Sequence, residues 1–427
     1  MTQRVFRGAR FAIEDGRPVD LVVEDGQVAD VLDYDSHRVF EGAERVIDAT
    51  GQTLLPGLTD AHAHLREPGF EWKEDIASGL AAAARGGFSN VMCMANTDPV
   101  NDRGAVTTMM LAKARTVRPL GPRLFPIGAL TVGLKGAELA PMAELAAAGC
   151  VAFSNDGLPV ADTELFRHAL EYASDLEKIV IDHCEDPYMA PAAGMNEGEV
   201  AARLGLRGQP TASEALQAAR DILLAEFLDV PVHLAHVSCR QTVELLAAAK
   251  KRGVRVTAET CPHYLLFTEE AVQGYDTAAK VNPPLRTRDD QQCLLEAVRS
   301  GVVDILATDH APHAAHEKEH PFDEAPCGIS GLDTALSATW MLVQDNKLTP
   351  DDLVRLWSHG PASIFGLPQN RFLPGDPADF ILFDTSAQWS PTVATMASKG
   401  KNTPLYGRTL PGLVRGHYIG GEKVYEG

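Results

Sequence analysis

Long apolar runs are missing from this 427-residue chain. No stretch approaches the roughly 18 consecutive apolar residues of a membrane-spanning helix, and the opening MTQRVFRGAR lacks the apolar core of a secretory signal. A cytoplasmic location is therefore expected. Cysteine pairs are missing as well: the seven cysteines are odd in number and contain no C-x-x-C spacing, which argues against a disulfide framework or a zinc ribbon. Cys93, Cys150, Cys184, Cys239 and Cys261 lie in or beside apolar, strand-like runs and read as buried reduced thiols. Positive charge is scarce. Against 58 Asp and Glu stand 38 Lys and Arg, a formal net charge of −20, so nonspecific attraction to nucleic acid or to an anionic membrane is disfavoured. An anionic small-molecule substrate would then need positive charge of local origin, from a metal ion or an arginine. Phosphate loops are also lacking: no G-x-G-x-x-G or P-loop follows the early strand-like runs, which removes the fingerprint of dinucleotide binding.

What is present is an alternation. Short β-rich runs (TLLPGLTDAHAH, SNVMCMANT, RLFPIGALT, CVAFSNDG, KIVIDHCED, VPVHLAHVS, RVTAETCPH and DILATDHAPH) are separated by Ala/Leu/Glu-rich helical stretches, several of which close on Gly. Eight such βα repeats predict an α/β chain with a TIM-type (β/α)8 barrel, whose active site lies at the C-terminal ends of the strands. An open doubly wound sheet is the alternative. The flanking segments differ: VDLVVEDGQVADVL reads as a hairpin around Asp-Gly, and GDPADFILFD with LPGLVRGHYIGGEKVYEG reads as strands around Gly-Gly. Neither end buries a core alone, so the two ends are expected to form one small β domain. The division expected is 1–52 and 366–427 for that domain and 53–365 for the barrel.

The strand ends carry the chemistry. His62 and His64, two residues apart at the end of an extended run, point to one face and can grip one divalent ion. Asp156, His183, His236 and Asp309 close the fourth, fifth, sixth and eighth runs. Four imidazoles and two carboxylates exceed the three protein ligands of one catalytic zinc and fit two divalent ions, zinc by donor type. His233, three residues before His236, belongs to the opposite strand face and reads as structural. His313 is assigned to substrate contact, and His263 and His310 to supporting roles.

With these motifs in place the chain resembles the amidohydrolase superfamily and, within it, the bacterial dihydroorotases that bridge their metals with an aspartate rather than a carboxylated lysine. DAHAHLREPG, the Asn96 of MANTDP, FSNDG, the His183 of IDHCED, LAHVS, ETCPHYL, KVNPPLR, and TDHAPH followed by CGISGLD carry the resemblance over nearly the whole chain. It implies one zinc on His62, His64 and Asp309, another on His183 and His236, and Asp156 between them. It also implies ring opening of dihydroorotate to N-carbamoyl-aspartate by a hydroxide bridging the two ions, with Asp309 as general base and then acid. Arg66 supplies the local cation for the substrate carboxylate; the bland alternative is an ion pair with Glu67 or Glu71. By resemblance His64, Asn96 and His313 join Arg66, Asn282 contacts the ring, and the backbone of Cys327 and Gly328 meets its polar edge. Lys178 and Lys135 are misplaced for a carboxylated bridge. Asn155 stands where the family more often has an acid, and Cys327 where it more often has phenylalanine. The segment AAHEKEHPFDEAPCGISG reads as a flap or a surface loop. The alternatives are an allantoinase or dihydropyrimidinase, and a non-catalytic scaffold for aspartate transcarbamoylase. A homodimer is the assembly implied.

Overall fold

Two glycine turns begin the organisation of the chain ends. Asp25 and Gly26 have φ of 48° and 84°, and Gly420 and Gly421 have 56° and 72°; positive φ at both central residues gives a hairpin turn whose twist matches that of its strands. In the computed structural model, which describes residues 3–12, 16–189 and 193–427, these turns join strands of one mixed sheet. Met1 and Thr2, with which the first segment opens, lie outside the described residues.

That sheet contains β1 (Gln3–Phe11), β2 (Pro18–Glu24), β3 (Gln27–Asp33), β4 (Arg45–Asp48) and β5 (Thr53–Pro56) from one end of the chain. The barrel follows with β6 (Leu58–Ala63), β7 (Phe88–Cys93), β8 (Arg123–Ala129), β9 (Ala152–Ser154), β10 (Ile179–Asp182), β11 (Val232–Leu234), β12 (Val256–Thr260) and β13 (Ile305–Leu306). From the other end, β14 (Phe380–Trp389), β15 (Leu410–Ile419) and β16 (Glu422–Glu426) return to the first sheet. Its order is β16-β15-β14-β5-β1-β2-β3, with β4 beside β1. Phe6, Phe380 and Tyr418 pack with centroids 4.7 to 4.8 Å apart, so the two ends share one apolar core.

All eight barrel runs form strands, paired in parallel from β6 to β13 in chain order. The ring closes where His64 N donates to His310 O at 2.8 Å and Thr308 N to Asp60 Oδ1 at 2.9 Å. The first run is not one strand but two. Gly57 divides it because a side chain there would meet Ser89 Oγ at 2.1 Å, and β5 pairs with β1 and β14 while β6 enters the barrel.

Local signals fix the helices around the ring. Asp75 and Ser78 form a reciprocal cap at the start of Ile76–Gly86, which ends on Gly87 with φ 87°. Thr287 and Asp290 do the same for Arg288–Ser300, ending on Gly301. The barrel floor is filled by Met92, Met94, Ile127, Ile181 and Ile305, and Phe365 and Leu367 close it from below. Each such side chain contributes about 1.5–3 kcal/mol by leaving water. Among the described residues no helix is long and apolar enough to cross a membrane.

Candidate active site at the strand ends

Above that floor the six candidate donors converge. His62 and His64 leave the end of β6, Asp156 follows β9, His183 follows β10, and His236 and Asp309 follow β11 and β13. Asp156 is the centre. Its Oδ1 lies 3.4 Å from His62 Nε2, 3.6 Å from His183 Nδ1 and 3.3 Å from His236 Nε2, while Oδ2 is 3.5 Å from His64 Nε2. Two three-residue groups able to hold a cation, His62/His64/Asp156 and Asp156/His183/His236, therefore share one carboxylate. Asp309 Oδ1 lies 3.2 Å from His64 Nε2 and 3.7 Å from His62 Nε2.

The donor set fits two divalent ions. His62 Nε2, which faces Asp156, is buried without a hydrogen-bond partner, whereas most such atoms among the described residues are satisfied. His62 Nδ1 is 2.7 Å from Glu259 Oε1, which fixes the ring and aims Nε2 at Asp156. Burial opposes ionisation of Asp156 and Asp309, yet the surrounding imidazoles hold both carboxyls below the usual range, so both are anionic donors. Glu259, buried between His233 and His62, is likewise held down at about 2.

Backbone geometry shows how β11 delivers its histidine. Strict alternation would put His233 and His236 on opposite faces, but His236 has φ 33° and turns back over the barrel mouth. His233 lies beneath the site rather than outside it: its Nε2 is 3.3 Å from Glu259 Oε2 and its ring packs on Phe365. The structural role expected of His233 thus has a different physical basis, support of the His62–Glu259 pair. Arg66 and Asp309 also have positive φ, 62° and 44°.

An open cavity leads onto this cluster. Its wall includes His64, Arg66, Asn96, Asn282, His313, Cys327 and Gly328, and no lysine among the described residues. Arg66 makes no ion pair with Glu67 or Glu71. Glu67 instead accepts from Ile76 N and faces Lys113, and Glu71 accepts from Gly69 N. The guanidinium reaches Pro312 O at 3.3 Å and His313 Nε2 at 3.4 Å. Burial, with Arg66 and Lys73 nearby, pushes His313 down to about 2, so its ring is neutral. Asn96 Oδ1 is 2.8 Å from His64 Nδ1, and Asn282 Nδ2 donates to Glu185 Oε2 at 2.8 Å.

Other residues take supporting places. Asn155 faces away from the donors and ties Thr131 and Leu158. Lys178 lines a different hollow with Arg255 and Ser363. His310 accepts from Gly331 N at 3.1 Å, and His263 packs on Tyr264. A third cluster, Asp182, Cys184 and Asp221, is closed by Arg220, 2.7 Å from Asp221; burial and the neighbouring Asp182 push the Asp221 carboxyl well up. Glu259 and Glu185 were not among the residues singled out from sequence. Each follows a strand-end signal, in ETCPH and HCED, but acts by touching a histidine distant in sequence or on the same turn.

Comparison with known proteins agrees with this architecture. A family model described as Dihydro-orotase-like matches residues 51–244. A dihydroorotase of Geobacter metallireducens is 46% identical over 408 residues, 96% of this chain and 95% of that protein. One from Syntrophus aciditrophicus has the same identity and coverage. Among solved structures, an L-hydantoinase from Arthrobacter aurescens superposes with a TM-score of 0.89 at 23% identity, covering 100% of this chain and 96% of that one, which is a likeness of fold. Identity of this extent over nearly the full length, on a barrel whose strand ends gather the donors just described, means that the chain belongs to the dihydroorotase family.

Proposed function

We propose that this chain catalyses the reversible hydrolysis of the cyclic amide of (S)-dihydroorotate to N-carbamoyl-L-aspartate. The observation that carries this reading is Arg66, a half-buried guanidinium without a carboxylate partner among the described residues, on the wall of the cavity that also contains Asp156 and Asp309. It offers a planar fork to a substrate carboxylate inside a protein whose net charge is −20. Two divalent ions, zinc by the donor chemistry, would be held by His62, His64 and Asp309 and by His183 and His236, with Asp156 between them. When bound, such ions lower the pKa of water and polarise an amide carbonyl.

The chain's own residues do the rest. Asp309, anionic and oriented by His64 at 3.2 Å, accepts a proton from the attacking water and delivers it to the amide nitrogen as the carbon–nitrogen bond breaks. Arg66, Asn96 and His313 orient the carboxylate, so the ring carbonyl is presented to the Asp156–Asp309 side. Asn282, Cys327 and Gly328 border the rest of the ring. In reverse, Asp309 takes the proton from the carbamoyl nitrogen and water departs.

A dihydropyrimidinase reading is favoured only by the likeness of fold to hydantoinases. The cavity wall has a guanidinium without a carboxylate partner and, among the described residues, no lysine, which supports an anionic substrate and an aspartate in the bridging place. Allantoinase stands behind it for the same reasons, and a non-catalytic scaffold is opposed by the convergence of all six donors. A cytoplasmic homodimer completes the proposal, with aspartate transcarbamoylase as the partner to test; the seven free thiols accord with a reducing compartment. The deciding experiment compares ring opening of dihydroorotate, allantoin and dihydrouracil by zinc-loaded protein. Preference for dihydroorotate supports the proposal. Preference for an uncharged ring overturns the role of Arg66, and inactivity on all three moves the scaffold reading first.

A further inference from the structure

One wall of the cavity is held by two lysines that the chemistry above does not use. Lys280 is 3% exposed. Its ammonium donates to Phe322 O at 2.6 Å and Asp323 O at 3.1 Å, and its own carbonyl accepts from Gly328 N at 2.9 Å. Lys318 donates to Thr277 O and Pro326 O, both at 2.8 Å, and its carbonyl accepts from Thr277 Oγ1. Among the described residues both ammonium groups are hydrogen-bonded only to backbone carbonyls. Gly194 leaves the space for this arrangement: a Cβ there would lie 2.2 Å from the Lys280 side chain.

Apart from the Lys318–Pro326 bond, which lies within the second segment, these bonds cross between the same two segments, 277–282 and 318–328. The first ends in Asn282 and the second in Cys327 and Gly328, which stand on the wall of one cavity. We propose that Lys280 and Lys318 are positioning residues that latch segment 318–328 onto segment 277–282, and so set the width of the substrate cavity between Cys327–Gly328 and Asn282. The physical reason lies in desolvation. A buried ammonium is expensive unless oxygen atoms replace its water, and the carbonyls of Phe322 and Asp323 for Lys280, and of Thr277 for Lys318, do so only while the segment is docked. Burial brings Lys318 down to about 8, so it remains charged at neutral pH.

Cys327 reports directly on this latch. It and Cys293 are the two free cysteines that are not fully buried, so a Cys293→Ser background isolates its signal. In that background, Lys280→Met and Lys318→Met are expected to speed alkylation of Cys327 by iodoacetamide about tenfold or more, with faster amide exchange across 318–328. Lys318→Arg is expected to restore slow alkylation. Lys318 lies on a four-residue helix outside the barrel, so its variant keeps the fold even if the Lys280 variant does not. Unchanged Cys327 reactivity and exchange in folded Lys318→Met overturn the latch. A further readout rests on the dihydroorotase reading: KM for dihydroorotate should rise more than kcat falls. If wild-type protein does not open dihydroorotate, that reading fails by itself, while the thiol measurement still decides the latch.

Discussion

Asp309, Arg66 and His236 owe their places to a backbone conformation that costs a non-glycine residue on the order of 1–3 kcal/mol. Surrounding contacts hold them there, and the choice of substitution must respect it. Asn is well suited to positive φ, so Asp309→Asn removes the carboxylate without disturbing the turn. It should lower kcat by about 10²–10⁴-fold with an unchanged melting temperature; near-normal kcat with two metals bound would rule out the proton-shuttle role. Glu259 acts through His62, 2.7 Å away. Glu259→Gln should weaken metal affinity by about 10–100-fold, measured by chelator competition, whereas unchanged affinity would leave Glu259 a purely structural anion. The donors themselves were legible because each follows a β-rich run in the sequence. Glu259 was not, because its contact with His62 spans 197 positions and no local pattern marks it.

Elements were legible wherever a pattern was local. All eight barrel runs, the Asp-Gly and Gly-Gly hairpins and the glycine-terminated helices rest on short-range sterics and hydrogen bonds. Two features escaped for one reason: strand parity was extended past the true strand end. TLLPGLTDAHAH breaks at Gly57, and LAHVS leaves β11 at Leu234, two residues before His236. Gly57 is required by a neighbour rather than by its own φ, since a Cβ would lie 2.9 Å from Ser89 Cβ and closer still to its hydroxyl. Gly57→Ala should therefore destabilise the fold by about 1–3 kcal/mol. Urea denaturation of Gly57→Ala made in the wild-type and in a Ser89→Gly background tests this; an equal loss in both backgrounds would show that the clash is not the cause.

The terminal sheet and the barrel meet at His417, whose Nδ1–H donates to Ala84 O at 2.9 Å while Nε2 accepts from Ser89 Oγ at 2.9 Å. Burial disfavours the charged ring and lowers its pKa to about 4. Because the unfolded chain titrates near 6.5, it binds the proton first. The stability supplied by this contact is thus complete above pH 6.5 and is lost as pH falls toward 4, by on the order of 3 kcal/mol. His417→Gln should show a smaller loss than wild type between pH 7 and pH 4.5 in urea midpoints; parallel losses would remove His417 from the acid response. That the two chain ends share a sheet was legible from their unfinished strand sets, but the interface at His417 was not, because it joins residues 333 positions apart.

The order β14-β5-β1 has a consequence for synthesis of the chain. On the ribosome β5 emerges early and its neighbour β14 only after the entire barrel, so β5 waits with an open edge beside the strand that carries His62 and His64. A product released just before Phe380 would hold all six candidate donors and still lack the brace for the first of them. Translation that stops short therefore leaves a sticky, unfinished chain, and only a ribosome that reads through β16 releases a working site.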